Sequence, residues 1–196
     1  MINLLDNSGF DSLHLYENFR VLESQTLDQL AVGLDWMIEN EKGGVLIGGT
    51  AVVSYLAGGR MLTPDIDFMV RDIDKIKSLL EEAGLRFHPL IDDLGITVAT
   101  LNIDILSSGS GNTVLNELIM QTPLVQKIGG VDLSVINPEL LFIMKMELGR
   151  DKDTDDAMLL LQSGLLRKSG FLGYISDLDN SLNDPESLRI YSGMMG

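Results

Sequence analysis

Apolar and polar positions fall into several distinct periods along this chain. Between Thr26 and Glu41, Leu27, Leu30, Ala31, Leu34, Met37 and Ile38 recur at i, i+3, i+4, i+7, i+10 and i+11. That spacing lies on one face of a 3.6-residue turn and predicts an amphipathic helix. Thr26 is its N-cap and Gly43-Gly44 its stop. Residues 1–24 show no clean period. Val45-Leu46-Ile47 is a short, wholly apolar run, the mark of a strand covered on both faces. Gly48-Gly49 interrupts it, and Thr50 to Leu56 reads as a short helix despite its β-branched residues. Asp65 to Val70 alternates polar and apolar, then runs apolar, which predicts a strand with one end at a polar site. Asp72 to Ala83 reads as a helix, with Asp72 as N-cap, Ile73, Ile76, Leu79 and Leu80 on one face, and Gly84 as C-cap.

In the second half, Leu85–Pro89 is a candidate strand and Asp92-Asp93-Leu94-Gly95 a turn. Ile96–Leu101 and Ile103–Leu106 read as two strands around Asn102, followed by a Ser107–Asn112 loop. Leu124–Ile128 and Val131–Ile136 flank Gly129-Gly130, a hairpin signal. Asn137 as N-cap and Pro138 at the first helical position open a helix that runs to about Leu148 and stops at Gly149. A further helix covers about Thr154 to Gln162, closed by Gly164. Residues 165–196, with an acidic stretch at Asp177–Glu186, read as a helical tail. Strands alternating with helices predict a layered α/β (α+β) domain. We divide it into a core with its N-terminal helix, residues 1–136, and a C-terminal helical extension packed on the core, residues 137–196.

Composition narrows the chemistry. The 196 residues hold 14 Lys+Arg against 29 Asp+Glu, a formal net charge of −15, and no cysteine. The missing cysteine removes a disulfide framework, a thiolate zinc site and a cysteine nucleophile together, and it fits a cytoplasmic protein. No apolar run reaches ~18 residues, so no membrane span is expected. Asp6 precedes any basic residue within Met1–Phe10, which argues against a secretory leader. The charge disfavours a broad grip on DNA, RNA or anionic membranes. The chain contains no Gly-x-Gly-x-x-Gly, no Gly-Lys-Ser/Thr loop, no His-Glu-x-x-His and no Gly-x-Ser-x-Gly. His14 and His88 stand far apart in sequence, which speaks against a histidine triad or zinc centre.

What remains is a constellation of acids. Asp65 and Asp67, two apart on a predicted strand, point to one face ~6.5–7 Å apart, while Ile66 and Phe68 face the core. Asp104 lies between Ile103 and Ile105 in the opposite phase. If its strand neighbours the first, Asp104 comes within ~5 Å of one of the pair. Three carboxylates so close repel each other and raise at least one pKa unless a cation joins them. Oxygen-only sets suit Mg²⁺ or Mn²⁺. Two such ions ~3.5–4 Å apart serve in-line phosphoryl displacement. Taken alone, Asp-x-Asp fits a solvated strand end equally well.

Upstream, Gly48-Gly49-Thr50 lies between a strand and a helix start. Glycine admits close backbone approach to a phosphate, and a helix N-terminus offers N–H groups. A tight strand-to-helix turn needs the same residues. Downstream, Lys145, Arg150 and Lys152 form a basic cluster before Asp153, Asp155 and Asp156. Basic residues at a helix C-terminus also complement its dipole. That reading suits Arg150 better than Lys145, whose neighbours Leu141, Met144, Met146 and Leu148 suggest a half-buried face.

Gly48-Gly49-Thr50, Arg60, Thr63, Asp65-Ile66-Asp67 and Ile103-Asp104-Ile105 together resemble the minimal nucleotidyltransferases of the DNA polymerase beta superfamily. Asn137-Pro138-Glu139-Leu140-Leu141, Lys145, Gly149-Arg150, Lys152-Asp153 and Asp156 are similar to the AbiE-type toxin group, with its Pro-Glu-x-Leu, helix Lys and Arg-x-Lys-Asp pattern. The resemblance spans roughly residues 45–156. It implies a mixed sheet with packed helices, two metal ions and an NTP, and transfer of a nucleoside monophosphate to a hydroxyl with release of pyrophosphate. It implies that Asp65 and Asp67 bind both metals, Asp104 holds the catalytic one, Gly48, Gly49 and Thr50 cradle the β/γ-phosphates, and Lys145 and Lys152 neutralise the triphosphate. The acceptor is left open between a protein, a tRNA end and a small molecule. Two other readings compete: a module of the same fold that binds NTP or a toxin–antitoxin partner without turnover, and an acidic interaction protein whose aspartates lie at the surface or bind Ca²⁺.

Overall fold

The apolar run Val45-Leu46-Ile47 forms strand β1, buried at every position, near the middle of a seven-stranded mixed sheet. This computed structural model describes residues 43–56, 65–90, 93–128 and 131–195. The helix expected over Thr26–Glu41, together with Arg60, Thr63 and the Gly129-Gly130 turn, lies outside them.

The remaining strands are β2 (Ile66–Val70), β3 (His88–Pro89), β4 (Gly95–Val98), β5 (Ile103–Ser107), β6 (Leu124–Ile128) and β7 (Val131–Val135). Their order across the sheet is β3-β4-β5-β2-β1-β7-β6. β2 runs parallel to β5 and β1 parallel to β7, while the other neighbours are antiparallel. A strand inside the sheet, two places from the β6 edge and four from the β3 edge, is covered on both faces, which is why β1 carries no polar residue.

Among the described residues there are seven α-helices: α1 (Gly48–Tyr55), α2 (Ile73–Glu82), α3 (Thr113–Gln121), α4 (Pro138–Leu148), α5 (Asp151–Gln162), α6 (Lys168–Leu178) and α7 (Pro185–Tyr191). The capping residues named above do their expected work. Asp72 accepts from the Lys75 N–H, and Asn137 accepts from the Glu139 N–H with Pro138 in the first turn. Gly149, at φ 63, closes α4 in the left-handed region.

Three expectations shift. Residues 113–121, given no element by periodicity, form α3, capped by the Asn112 side chain and anchored by buried Leu115 and Ile119. The helix expected from Thr154 begins at Asp151, because Asp151 and Asp153 in its first turn complement the helix dipole. The Leu85–Pro89 strand contracts to His88–Pro89, since the Leu85 N–H is spent on the Leu80 carbonyl at the end of α2.

The C-terminal helices are joined to the rest by α4, whose residues Pro138 to Ile143 are all buried. Phe142 meets Phe171 and Tyr191 edge-on, with ring centroids 5.5 Å apart in both pairs. Glu139, only 5% exposed, accepts from the Arg167 N–H at 2.8 Å and so caps the entry to α6. Among the described residues, no helix is long and apolar enough to cross a membrane.

Gly95 sets how closely β4 lies on β5. A Cβ there would stand 2.0 Å from the Ile105 carbonyl oxygen. Gly95→Ala is therefore expected to cost about 1–3 kcal/mol through overpacking, read as a lower urea midpoint with an unchanged slope.

Candidate metal centre

The alternation in β2 sends Ile66 and Phe68 into the core, 0% and 2% exposed, and leaves Asp65 and Asp67 on the opposite face. Parallel pairing with β5 sets Asp67 directly beside Asp104, with Ile66 beside Ile103 and Phe68 beside Ile105. The three carboxylates each bring an oxygen within 4.8 Å of the others. All three side chains are half-buried.

The other side of this cluster is built by the end of β1. Ile47 pairs with Asp67, so the chain must leave the strand immediately beside that carboxylate. It does so at Gly48, with φ +66, and a Cβ at this position would fall 1.8 Å from Asp67 Oδ2. Both the left-handed turn and the close contact exclude any other residue. The Gly49 N–H donates to the Asp67 carboxylate, and the Thr50 hydroxyl donates to the Asp65 carbonyl at 2.9 Å. The glycine pair and Thr50 thus buttress the acids, and Gly48 and Gly49 also line the cleft in front of them.

Charge is costly here. Burial first, then the charges of Asp65 and Asp104, push the Asp67 carboxyl up to about 7, against the pull of Lys145 and the Gly49 hydrogen bond. Asp104 is also raised, by burial and by Asp65, against a hydrogen bond from the Thr97 side chain. A set of oxygen donors that resists carrying its full charge alone fits a hard divalent cation such as Mg²⁺ or Mn²⁺.

The basic residues divide into two kinds. Lys145 is 4% exposed and pairs with Asp153 at 2.8 Å and Asp156 at 2.9 Å, both buried on α5. It pins α4 to α5. Burial would raise the Asp153 carboxyl, but hydrogen bonds from Arg150 and Lys145 outweigh it and hold that group below its usual range. The Arg150 guanidinium, 57% exposed, pairs with Asp153 and feels the charges of Asp67 and Asp65. Lys152 is exposed, and both it and Arg150 line the cleft.

That cleft measures about 1140 Å³. The acids form part of one wall, and the Ser110–Asn112 loop, the start of α3 and the α4–α5 corner close the rest. Met69 and Leu106, partnered one step along from Asp67 and Asp104, continue the same face as an apolar floor.

One residue beside the acids went unassigned in the sequence. Thr97 lies between buried Ile96 and Val98, the same alternation that marks Asp104, but a threonine in a strand carries no signal of its own. Arg150, read from sequence both as part of the basic cluster and as a complement to the helix dipole, follows the αL turn at Gly149 and feels the charges of the acids.

The fold is nucleotidyltransferase-like. The chain is similar to the crystal structure of an antigenic nucleotidyltransferase-like protein from Paracoccidioides brasiliensis, with a TM-score of 0.53 over 88% of this chain and 94% of that one. At 14% identity the likeness is one of fold. No family model matches the sequence, and no curated protein matches it significantly.

Two outcomes follow from the charges. Folded Asp67 holds its proton up to about pH 7, whereas a carboxyl of ordinary pKa has released it near 3.8. The folded state binds more protons in that interval, so the metal-free protein loses stability as pH rises through it. Asp67→Asn is expected to melt above the wild type at pH 8 without metal, by about 2–4 °C per kcal/mol relieved, and the gap should close at pH 4. Calorimetry at the two pH values reads it. Lys145→Met takes the buried ammonium from two buried carboxylates and should cost about 3–5 kcal/mol, against less than about 1 kcal/mol for Arg150→Ala. Equal urea midpoints for the two variants would remove the structural role of Lys145.

Proposed function

We propose that this chain is a metal-dependent nucleotidyltransferase that moves a nucleoside monophosphate from an NTP to an acceptor hydroxyl. The observation that carries the reading is the meeting of Asp65, Asp67 and Asp104 within 4.8 Å on a nucleotidyltransferase-like fold. In this reading Asp65 and Asp67 hold two Mg²⁺ or Mn²⁺ ions, and Asp104 shares one of them. The bound ions would neutralise the carboxylates and the phosphate oxygens. The acceptor oxygen forms a bond to the α-phosphorus, the bond to the β-phosphate bridging oxygen breaks, and pyrophosphate leaves. Asp104, on the neighbouring strand, would be the carboxylate beside that bond, placed to take up the acceptor proton.

Lys145, Arg150 and Lys152 all line the cleft, and the exposed pair, Arg150 and Lys152, is suited to the triphosphate. Lys145, paired with Asp153 and Asp156, would face it from deeper in the wall. Gly48 and Gly49, at the cleft, would present their backbone to the β/γ-phosphates; Thr50, behind them, would serve that side through its hydrogen bond to the Asp65 carbonyl.

Within the superfamily we assign the chain to the AbiE-type toxin group. What supports this is that the residues of that pattern act together: Glu139 caps α6, Lys145 links α4 to α5, and Arg150 pairs with Asp153. A cleft rimmed by few cations, on a chain of net charge −15, favours a protein or small-molecule acceptor over a long nucleic acid.

The test is incubation with each α-labelled NTP, Mg²⁺ and cell extract, followed by separation of RNA, protein and small molecules. Label is expected in one fraction. Asp67→Asn should lose more than the ~10–100-fold typical of outer partners of metal ligands, while keeping a native circular dichroism spectrum. A thermal shift with Mg²⁺ and NTP but no label in any fraction would leave the non-catalytic module of the same fold. No shift with any of the four NTPs would overturn both.

A further inference from the structure

We propose that Thr97 is a positioning residue that holds the Asp104 carboxylate in its metal-ligating orientation. The inference rests on the metal-binding reading of the acidic cluster and adds a residue to it from a neighbouring strand.

One transverse row of the sheet crosses five strands: His88 on β3, Thr97 on β4, Asp104 on β5, Asp67 on β2 and Ile47 on β1. Directly paired residues present their side chains to the same face. Asp104 therefore stands between a carboxylate on one side and a hydroxyl on the other. Without a cation, repulsion from Asp65 and Asp67 drives Asp104 away from them. Thr97 is the direct cross-strand partner of Asp104, so its hydroxyl stands on the β4 side of that carboxylate, placed to donate to it. A carboxylate held from the β4 side keeps an oxygen for the point where the three acids converge within 4.8 Å.

The donor is itself held rigidly. Threonine branches at Cβ and has few side-chain rotamers in a strand. Ile96 and Val98 on either side are 2% and 0% exposed, which anchors the backbone. Gly95, pressed on the Ile105 carbonyl, fixes the distance between the two strands. Hydrogen-bonding partners behind metal ligands typically govern metal affinity by 10–100-fold. Thr97 is the described residue placed to do so for Asp104.

The test is calorimetric titration of the full chain with Mn²⁺ alone, without nucleotide. Thr97→Val keeps the shape and strand preference but removes the donor, and Thr97→Ala is a second donor-free variant. Both are expected to bind Mn²⁺ about 10-fold or more weakly, whereas Thr97→Ser should stay within about threefold of wild type. On an Asp104→Asn background, Thr97→Val should add no further loss, because the two act through one group. Unchanged affinity in both donor-free variants, or a Ser variant as weak as Val, overturns the inference and leaves the metal centre standing. A wild-type chain that binds no Mn²⁺ overturns the metal centre and the inference with it.

Discussion

Mutual repulsion among three carboxylates is the constraint around which this molecule is arranged. Asp65, Asp67 and Asp104 gain nothing from one another, and burial makes the charges of Asp67 and Asp104 more costly. The surrounding chain holds them in place regardless. Parallel pairing of β2 with β5 sets the register, Gly48 brings backbone into contact with Asp67, and the Gly49 N–H and the Thr97 hydroxyl each stabilise one member. Lys145 contributes from behind by attraction alone. A site that stores unfavourable charge in the resting protein is prepared to gain free energy when a cation arrives.

The α4–α5 corner has a parallel logic. Lys145, at the buried end of the cleft wall, pairs with two buried aspartates. The αL turn at Gly149 follows it, and Arg150 beyond that turn shares Asp153 with it. One buried carboxylate thereby links a buried cation to an exposed one.

Much of this was legible in the sequence where one physical rule decided the outcome. The period of two around Ile66 and Phe68, the Asn137-Pro138 start and the Gly149 stop each specify local geometry, and the structure follows them. The adjacency of Asp67 and Asp104 was conditional on strand pairing, which local pattern does not encode. The depth of Lys145 was hinted by its apolar neighbours, but its two aspartate partners lie on the next helix. Helix α3 was hidden because its capping Asn112 ends a Ser/Gly-rich stretch that reads as loop, and the helix is only 9 residues long. Thr97 was invisible for a simpler reason: its importance belongs to the residue beside it.

The pairing of β2 with β5 has a consequence for how the site comes into being. Between these adjacent strands the chain runs through the whole of α2, β3 and β4. Asp67 and Asp104 meet only after that excursion has closed, and closure of a non-local parallel pair is slow relative to helix or hairpin formation. The centre is therefore a late product of folding. The three acids are a cluster only in a chain whose β2–β5 pairing is complete.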